Sequence, residues 1–360
     1  MLPRRTPRRT PQPLHDPIFF EPGVSADGFY PRRIANMAGP ERRALAKLLH
    51  EAEKSQSHAL LLLKDEHTLV ERYFDEKVEP VELMSITKSI VSLAIGFLLA
   101  GKNIPSLDTP LSFWYPHWSQ DGRSQITLRH ILTHTSGLED NQTALASEYE
   151  GDSLKCASES RLMEEPGSRF VYNNMATQLL AGVVEKASGK PLDSYVKEKL
   201  FDPLGISDWS WKKDRVGTPQ AAYGLSLHGR DLTRIGLLML KKGRWNNATL
   251  LPAEWIRQST SPGTEITPFY GLLWWLRHEN DERPSPTNQL RSRSGFYADG
   301  WLGQKLIIYP AWNLVALRLH KVTGEGKEEE QRQCSFPTFF ERVEAFCKLT
   351  FEEQPNGKIR

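Results

Sequence analysis

A serine and a lysine stand one helical turn apart in the segment MSITKSIVSLAIGFLLAGKNI, and together they could act as nucleophile and base. On a helix, residues i and i+3 lie on one face, so the amine of Lys88 could reach the hydroxyl of Ser85. A serine hydroxyl is a weak nucleophile until an adjacent base takes its proton. The first residues of a helix also offer free N–H groups and the positive end of its dipole, which would stabilise an oxyanion. This pair therefore indicates acyl transfer through Ser85.

The same Ser-x-x-Lys spacing occurs twice more in the chain, so the spacing alone does not identify the reactive pair. One further copy, at 194–197, lies in a charged amphipathic stretch, and the other, at 210–213, lies in a tryptophan-rich segment. Only Ser85 opens a helix whose continuation, 90–99, is almost wholly apolar and is expected to be buried. A buried lysine is unfavourable unless it is paired, and burial lowers its pKa. The context favours Ser85 and Lys88 as the reactive pair over a solvated helix face.

A second signal is the segment PGSRFVYNNMATQLLAGVVEKASG. Tyr172 and Asn174 form the single Tyr-x-Asn in the chain, although there are ten tyrosines. The pair stands where a strand or loop meets a helix. Taken alone, it would be an aromatic anchor followed by an asparagine helix cap.

A third signal is the segment GWLGQKLIIYP. Gly300 and Gly303 precede a short strand and indicate a backbone that another segment approaches closely. Taken alone, this is a strand start in which Trp301 is a core residue.

The elements that must position these residues alternate between strands and helices. A helix is expected over 39–55, and a hairpin over 59–63 and 68–74 around a polar turn. Gly101 is expected to end the Ser85 helix. Two further helices are expected over 229–243 and 252–259. The C-terminal third then returns to strands, with one strand over 270–278 and a hairpin of 303–310 with 313–320, which turns through Pro310, Ala311 and Trp312. A last helix is expected over 336–349.

The segment 107–214 differs, because helical stretches alternate there with Pro, Gly and Asn turns and show no convincing strand pair. Strands at both ends around a helical middle predict an α+β fold, with one sheet assembled from the two halves of the chain. The expected domains are a sheet domain made of 39–106 and 215–350 and a helical domain of 107–214. Residues 1–38 are expected to be a disordered or extended arm, and residues 351–360 a tail.

Composition limits the function classes. The chain has 360 residues, 39% hydrophobic and 25% charged, with a formal net charge of +2. This balance gives no reason to expect nucleic acid or an anionic membrane as partner. No apolar run reaches the length of a membrane span, and the basic, proline-rich N-terminus lacks the apolar stretch of a secretion signal.

Three cysteines without metal-ligand spacing, Cys156, Cys334 and Cys347, favour reduced thiols and a cytoplasmic location. No His-Glu-x-x-His or comparable ligand set is found, so neither a metal nor another cofactor is expected. The oligomeric state stays open, with a homodimer as one option.

Taken together, the three signals stand in the order Ser-x-x-Lys, Tyr-x-Asn and glycine-bearing strand, which is the order of the penicillin-recognising enzymes. ITLRHILTHTSGL, PGSRFVYNNMATQLLAGVVEKASGKPL and LFDPLGISDWSW also resemble the class C β-lactamase-related serine hydrolases. That family includes family VIII carboxylesterases, D-aminopeptidases and 6-aminohexanoate-dimer hydrolases. The resemblance covers roughly residues 40 to 345 and implies the β-lactamase and penicillin-binding-protein fold, a central antiparallel sheet flanked by helices with an inserted helical domain.

The resemblance also implies roles for particular residues. Ser85 falls on the nucleophile, Lys88 on the family's general-base lysine, and Tyr172 on the tyrosine of its second box. Lys88 and Tyr172 would share the task of taking the serine proton, and the sequence leaves open which of the two is the base. Asn174 would hold the substrate carbonyl or Lys88. The backbone N–H groups of Ser85 and Gln304 would form the oxyanion hole.

The third box of the family falls on Trp301, Leu302 and Gly303, and the resemblance implies that Trp301 and Gly303 contribute to the oxyanion or substrate-binding site. Here tryptophan replaces the lysine that would meet a β-lactam carboxylate, as in the family VIII esterases. Loss of a charge-assisted contact costs about 1.5–3 kcal/mol, which argues against efficient β-lactam hydrolysis. The expected substrate is therefore a small neutral ester or amide.

Three alternatives remain at this stage. A Ser-His-Asp hydrolase lacks the Gly-x-Ser-x-Gly elbow, and the HTSGL segment at 134–138 is interpreted as a structural turn that ends a helix. A catalytically inactive scaffold on the same fold is the second alternative. The third is an amidase or peptidase rather than an esterase, which depends on loops around the pocket. Several aromatic residues could line it, although each is expected in the core: Trp114, Tyr115, Trp118, Trp209, Trp211, Trp274 and Trp275.

Overall fold

The computed structural model describes residues 39–141, 151–277, 295–321 and 336–351. The expected N-terminal arm at 1–38 and nearly all of the expected C-terminal tail lie outside the described residues.

The described residues form both helices and strands. The α-helices are α1 Gly39–Lys54, α2 Ile86–Ala100, α3 Leu128–Leu132, α4 Ser153–Ser158, α5 Asn174–Ser188, α6 Leu192–Val196, α7 Asp202–Leu204, α8 Gly229–Leu240, α9 Ala253–Ser259 and α10 Phe339–Phe351. The strands are β1 Ser57–Lys64, β2 His67–Tyr73, β3 Val81–Glu82, β4 Trp209–Trp211, β5 Leu225–Leu227, β6 Arg244–Trp245, β7 Ala248–Thr249, β8 Trp275–Arg277, β9 Gly295–Gly300, β10 Gln304–Tyr309 and β11 Leu314–His320. None of the helices in the described ranges combines the length and apolarity needed to cross a bilayer.

The main sheet has six antiparallel strands in the order β2-β1-β11-β10-β9-β8. Strand β1 pairs with β11 along its length, so the N-terminal hairpin is joined to the C-terminal strands. Both predicted hairpins are confirmed, β1–β2 and β10–β11, the second turning through Pro310–Trp312. The prediction of an α+β fold with one sheet built from the two ends of the chain is confirmed.

Helices cover both faces of this sheet, and the side-chain alternation of β1 shows why. Leu60 and Leu62 belong to a buried cluster with α1 and α10, which includes Leu48 and Phe346. Leu61 and Leu63 point the other way, into the larger core shared with α2, α8 and the helical region. A strand that is buried on both faces has a continuously apolar sequence, as β1 does. The larger core is the one that carries α2 and hence Ser85.

A second sheet joins the two expected domains. Its order is β3-β5-β4, with Leu227 of β5 paired to Val81 on one side and to Trp209 on the other. The region 107–214 is mainly helical as predicted, but it contains β4, which pairs with β5 outside the region. The division into domains stays a prediction.

The Ser-x-x-Lys copy at 210–213 starts in β4, and in a strand residues i and i+3 face opposite sides.

The expected strand over 270–278 is wrong in extent, because within its described part, 270–277, only β8 forms a strand. Leu273 has φ +61°, which turns the chain before β8. The carbonyls of Leu272 and Leu273 accept hydrogen bonds from Ser92 Oγ and Ser89 Oγ of α2, both at 2.7 Å. These carbonyls are satisfied by the helix instead of by a neighbouring strand, so the segment anchors α2 to the sheet domain.

Candidate active site

Ser85 lies at a sharp turn between β3 and α2. The N–H of Leu83 donates to the carbonyl of Leu225 at 2.8 Å, which ends the strand pairing. Met84 then has φ +51°, a left-handed conformation that is unfavourable for a non-glycine residue, by about 1–3 kcal/mol. This turn leaves Ser85 half-buried at the N-terminus of a long apolar helix. The N–H groups of residues 86, 87 and 88 donate to the carbonyls of Leu83, Met84 and Ser85 at 3.2, 3.1 and 3.1 Å, so the first turn of the helix is hydrogen-bonded to the turn that carries Ser85.

Lys88 lies one turn into α2 and is 1% exposed. Its Nζ donates to Ser85 Oγ at 2.8 Å and to the carbonyl of Ala222 at 2.8 Å. Burial lowers the pKa of Lys88 to about 7, although the nearby carboxylate of Asp140 acts in the opposite direction. A substantial share of Lys88 is therefore a neutral amine near pH 7, beside the serine hydroxyl.

Tyr172 approaches the same pair from the loop before α5. Lys88 Nζ lies 4.7 Å from the centre of the phenol ring. Burial raises the pKa of Tyr172, a hydrogen bond between its side chain and Ser85 lowers it, and the carboxylates of Asp299 and Asp140 raise it. The net shift is upward, so the phenol keeps its proton at neutral pH. The structure thus brings together the hydroxyl, the amine and the phenol that the sequence analysis singled out; their catalytic roles stay predictions.

The two asparagines after Tyr172 differ in what they contact. Asn173 is the helix cap, because its Oδ1 accepts the N–H of Ala176 at 2.6 Å and its amide donates to the carbonyl of Leu138 at 2.8 Å. Asn174 is the first residue of α5, and its Oδ1 is buried with no hydrogen-bond partner among the described residues. A buried polar atom of this kind has unused capacity for a ligand. The role of Asn174 toward a substrate carbonyl stays a prediction.

The third box forms the turn between β9 and β10. Leu302 and Gly303 both have positive φ, +65° and +78°. Arg318, fully buried on β11, fixes this turn by donating to both carbonyls, at 3.2 and 2.9 Å. Trp301 is 38% exposed at the apex, so the interpretation of this tryptophan as a core residue is wrong. Leu302, the next residue of the same turn, is buried instead, so the turn directs the two side chains differently.

Strand β9 ends against the turn that carries Ser85. A Cβ on Gly300 would lie 2.5 Å from the carbonyl oxygen of Leu83, so the close approach expected at this glycine is confirmed. Gln304, fully buried, donates through Nε2 to the carbonyls of Glu82 at 3.2 Å and His320 at 2.6 Å. Its side chain therefore fastens β3 to the main sheet. The role of its backbone N–H in an oxyanion hole stays a prediction.

One of the expected aromatic candidates borders the site. Trp275 is half-buried and stacks on Tyr172 with ring centres 6.0 Å apart at 18°. Trp209 is half-buried and packs against Phe201 in the helical region. The remaining candidates are in the core, as expected: Trp114, Tyr115, Trp118, Trp211 and Trp274.

Sequence reasoning missed three groups near the reactive atoms. These are the carbonyl of Ala222 and the carboxylates of Asp140 and Asp299. No motif marks a backbone carbonyl. A lone aspartate is equally unmarked, although Asp140 follows closely on the HTSGL segment.

Comparison with known proteins agrees with this geometry. The family model described as Beta-lactamase matches residues 44–333. Esterase EstB of Burkholderia gladioli is 33% identical over 146 residues, which are 35% of this chain and 37% of that protein. Penicillin-binding protein 4* of Bacillus subtilis (strain 168) is 31% identical over 138 residues, 35% of this chain and 29% of that protein. The match thus spans about a third of each relative.

Solved structures share the fold. A structure from Bacillus anthracis, solved as a "Putative 6-aminohexanoate-dimer hydrolase", superposes with a TM-score of 0.68 at 20% identity, covering 91% of this chain and 86% of that one. At this identity the likeness shows the fold alone. It confirms the predicted β-lactamase and penicillin-binding-protein fold, and with the match of the family model over most of the chain it leads to one conclusion: the chain belongs to the beta-lactamase family of serine hydrolases.

Proposed function

We propose that the protein hydrolyses small carboxylic esters through an acyl-enzyme on Ser85. The observation that carries this proposal is the 2.8 Å contact between the Lys88 amine and the Ser85 hydroxyl, in a setting where burial brings the lysine pKa to about 7. A general base is most effective when its pKa lies near the working pH. The amine is therefore suited to take the serine proton.

In the first half of the reaction, Ser85 Oγ attacks the ester carbonyl carbon while neutral Lys88 accepts the hydroxyl proton. The resulting oxyanion is held by the backbone N–H of Ser85 at the start of α2 and by that of Gln304. Tyr172, which keeps its proton at neutral pH, gives that proton to the leaving alkoxide and is reprotonated by the Lys88 ammonium. The C–O bond to the alcohol breaks, and the acyl group remains on Ser85.

In the second half, water attacks the acyl-enzyme and its proton passes to Lys88 through Tyr172. The collapse of the second oxyanion returns the proton to Ser85 and releases the carboxylic acid. Atoms balance without any further reactant: an ester and water give an acid and an alcohol. The same residues act in both halves, as microscopic reversibility requires.

Two observations support esters over β-lactams and leave amides as the second candidate. The relative with esterase in its name is 33% identical over the matched part, and this chain has tryptophan at position 301, where a β-lactamase has lysine. Amides are the alternative because a protonated Tyr172 could donate to a poor amine leaving group. The substrates in the names of the relatives are substrates of those proteins. For this protein, a small carboxylic ester is the substrate class that we propose.

The test combines covalent labelling with turnover. A fluorophosphonate probe should label the wild-type protein at Ser85, and p-nitrophenyl acetate should give a burst of nitrophenol followed by steady turnover. Ser85→Ala should lose both while it keeps the wild-type thermal midpoint, and Ser194→Ala, at the exposed serine of the Ser-x-x-Lys copy at 194–197, provides the matched control for labelling. If the wild type shows neither labelling nor a burst, the protein is a scaffold on this fold.

Rates on p-nitrophenyl esters, D-amino acid amides, aminohexanoate oligomers and nitrocefin then rank the substrate classes. We expect the ester rate to exceed the amide rate and nitrocefin to be the poorest substrate. A faster amide than ester would replace the esterase proposal by the amidase one. Retained turnover in Ser85→Ala would remove Ser85 as nucleophile.

A further inference from the structure

His134 contacts the Tyr172 segment at three points. Its carbonyl accepts the N–H of Val171 at 2.8 Å, and its Nδ1 accepts the N–H of Asn173 at 3.1 Å. Its ring lies against the phenol, with centres 4.4 Å apart at 38°. One residue thus binds the backbone on both sides of Tyr172 and also packs against its side chain.

The phenol contacts a second aromatic ring as well. The indole of Trp275 stacks on Tyr172 with ring centres 6.0 Å apart. The phenol lies in contact with two rings, from elements distant in sequence, which restrict its rotation about χ1 and χ2. A tyrosine in a loop before a helix would otherwise have free choice among several rotamers.

His134 has features that do not favour stability. Its φ is +56°, and its ring is 1% exposed with Nε2 unpartnered among the described residues. Because Nδ1 accepts a hydrogen bond, the proton of the neutral ring is on Nε2, and a buried donor without an acceptor costs about 1–3 kcal/mol. Burial, together with the charge of Lys88, holds the pKa of His134 well below its usual range. The ring therefore stays neutral, and Nδ1 stays an acceptor.

We propose that His134 is a positioning residue that acts through Tyr172, holding the phenol hydroxyl at Ser85 and the ring at Lys88. This inference rests on the proposed function and extends it to a residue of the HTSGL segment, which the sequence analysis interpreted as a structural turn. The observations that support it are the three contacts of His134 with residues 171–173. A displacement of the phenol by about 1 Å can lower a rate by about 10²-fold, so the contact of His134 with residues 171–173 affects turnover directly.

Two substitutions test the contact of His134 with residues 171–173 without straining the backbone. Asparagine and glycine both tolerate positive φ, so His134→Asn and His134→Gly keep the turn while they remove the ring. The matched control is His130→Gln, because His130 lies in the same segment but accepts the N–H of Thr127 in its own helix at 3.1 Å. With p-nitrophenyl acetate we expect both His134 variants to lower kcat by ~10–100-fold with KM changed by less than about threefold, and the control to stay within about twofold.

A purely structural role would predict something different. If His134 acts through Tyr172, then adding His134→Asn to Tyr172→Phe should lower kcat by less than about threefold further, since the group being positioned is already gone. The full 10–100-fold loss in that background would overturn the inference. So would activity losses that simply follow the thermal midpoints of the three single variants. If His134→Gly does not fold, His134→Asn carries the same comparison.

Crystal structures of the variants give a readout independent of turnover. In His134→Asn and His134→Gly the phenol hydroxyl should leave hydrogen-bond reach of Ser85 Oγ, while in His130→Gln it should remain. A phenol that stays in place in both His134 variants contradicts the inference even if the protein is an active esterase. Conversely, a wild type that neither labels nor turns over refutes the proposed function, and the crystal structures still decide the role of His134.

Discussion

The amine nitrogen of Lys88 lies 4.7 Å from the centre of the Tyr172 ring, and their surroundings shift the two pKa values in opposite directions. Burial lowers the lysine pKa to about 7 and raises that of the phenol. Burial disfavours whichever form is charged, which is the protonated amine and the deprotonated phenol. The sequence left open which of the two takes the serine proton, and this geometry favours Lys88.

The first prediction concerns the pH dependence of kcat/KM. Because the neutral amine is the base, activity should rise with pH through a midpoint of about 7 as Lys88 loses its proton. Initial rates on p-nitrophenyl acetate from about pH 5 to about pH 9, corrected for spontaneous hydrolysis, give the midpoint. Lys88→Arg, which stays charged throughout, should lose at least ~10²-fold at every pH. A rate that does not rise with pH around 7 would contradict the assignment of Lys88 as the base.

The second prediction concerns stability. The folded-state pKa of Lys88 lies below its unfolded-state value, so the unfolded state binds more protons between about pH 7 and about pH 10.5. Stability should therefore rise with pH in that window, by at most about 1.4 kcal/mol per unit for this one group. Urea unfolding should give Lys88→Met a higher free energy of unfolding than the wild type. This difference should be largest below pH 7 and smaller at pH 9. Lys155→Met, at an exposed position of α4, should show no such trend, and a constant difference for Lys88→Met would contradict the assignment.

The third prediction is that Tyr172→Phe lowers kcat by at least ~10²-fold, the usual scale for removing an acid–base group. Phenylalanine keeps the ring contacts with His134 and Trp275, so the thermal midpoint should change little. Tyr195→Phe, on α6, controls for loss of a phenol elsewhere. A loss smaller than tenfold for Tyr172→Phe would exclude Tyr172 from proton transfer.

The fourth prediction concerns Gly300. In Gly300→Ala the new Cβ would lie 2.5 Å from the carbonyl oxygen of Leu83, so β9 and the Ser85 turn must separate. We expect kcat to fall by ~10-fold or more, because a small displacement at the reacting atoms is costly. Gly39→Ala is the control, since a Cβ there meets only the flexible end of Arg43. Unchanged turnover in Gly300→Ala would show that β9 does not contribute to the reactive geometry.

The fifth prediction separates the side chain of Gln304 from its backbone. Gln304→Leu leaves the carbonyls of Glu82 and His320 without their donor and should lower the free energy of unfolding by about 3 kcal/mol. The exposed Gln258→Leu on α9 should change it by less than about 0.5 kcal/mol. Equal urea midpoints for the two variants would mean that the Gln304 side chain does not fasten β3 to the sheet.

Local patterns predicted most of the elements, because each depends on neighbours in the sequence. The apolar run after Ser85, the two hairpins and the glycine stop of α2 were all identified correctly. The failures have long-range causes. The segment 270–278 is apolar enough for a strand, but its carbonyls are bound by the serines of α2. Trp301 is apolar enough for the core, but a tight turn places it at the surface.

The sequence by itself determined that Ser85 and Lys88 share a helix face, since a three-residue spacing fixes that geometry wherever the helix lies. It also determined the order of the three signals and, through their resemblance to a known family, the fold. Only the tertiary structure decided the burial that lowers the pKa of Lys88, the carbonyl of Ala222 that binds its amine, and the contact of His134 with Tyr172. The physical reason is that desolvation and ring packing depend on which distant segments enclose a group, and no spacing along the chain encodes that.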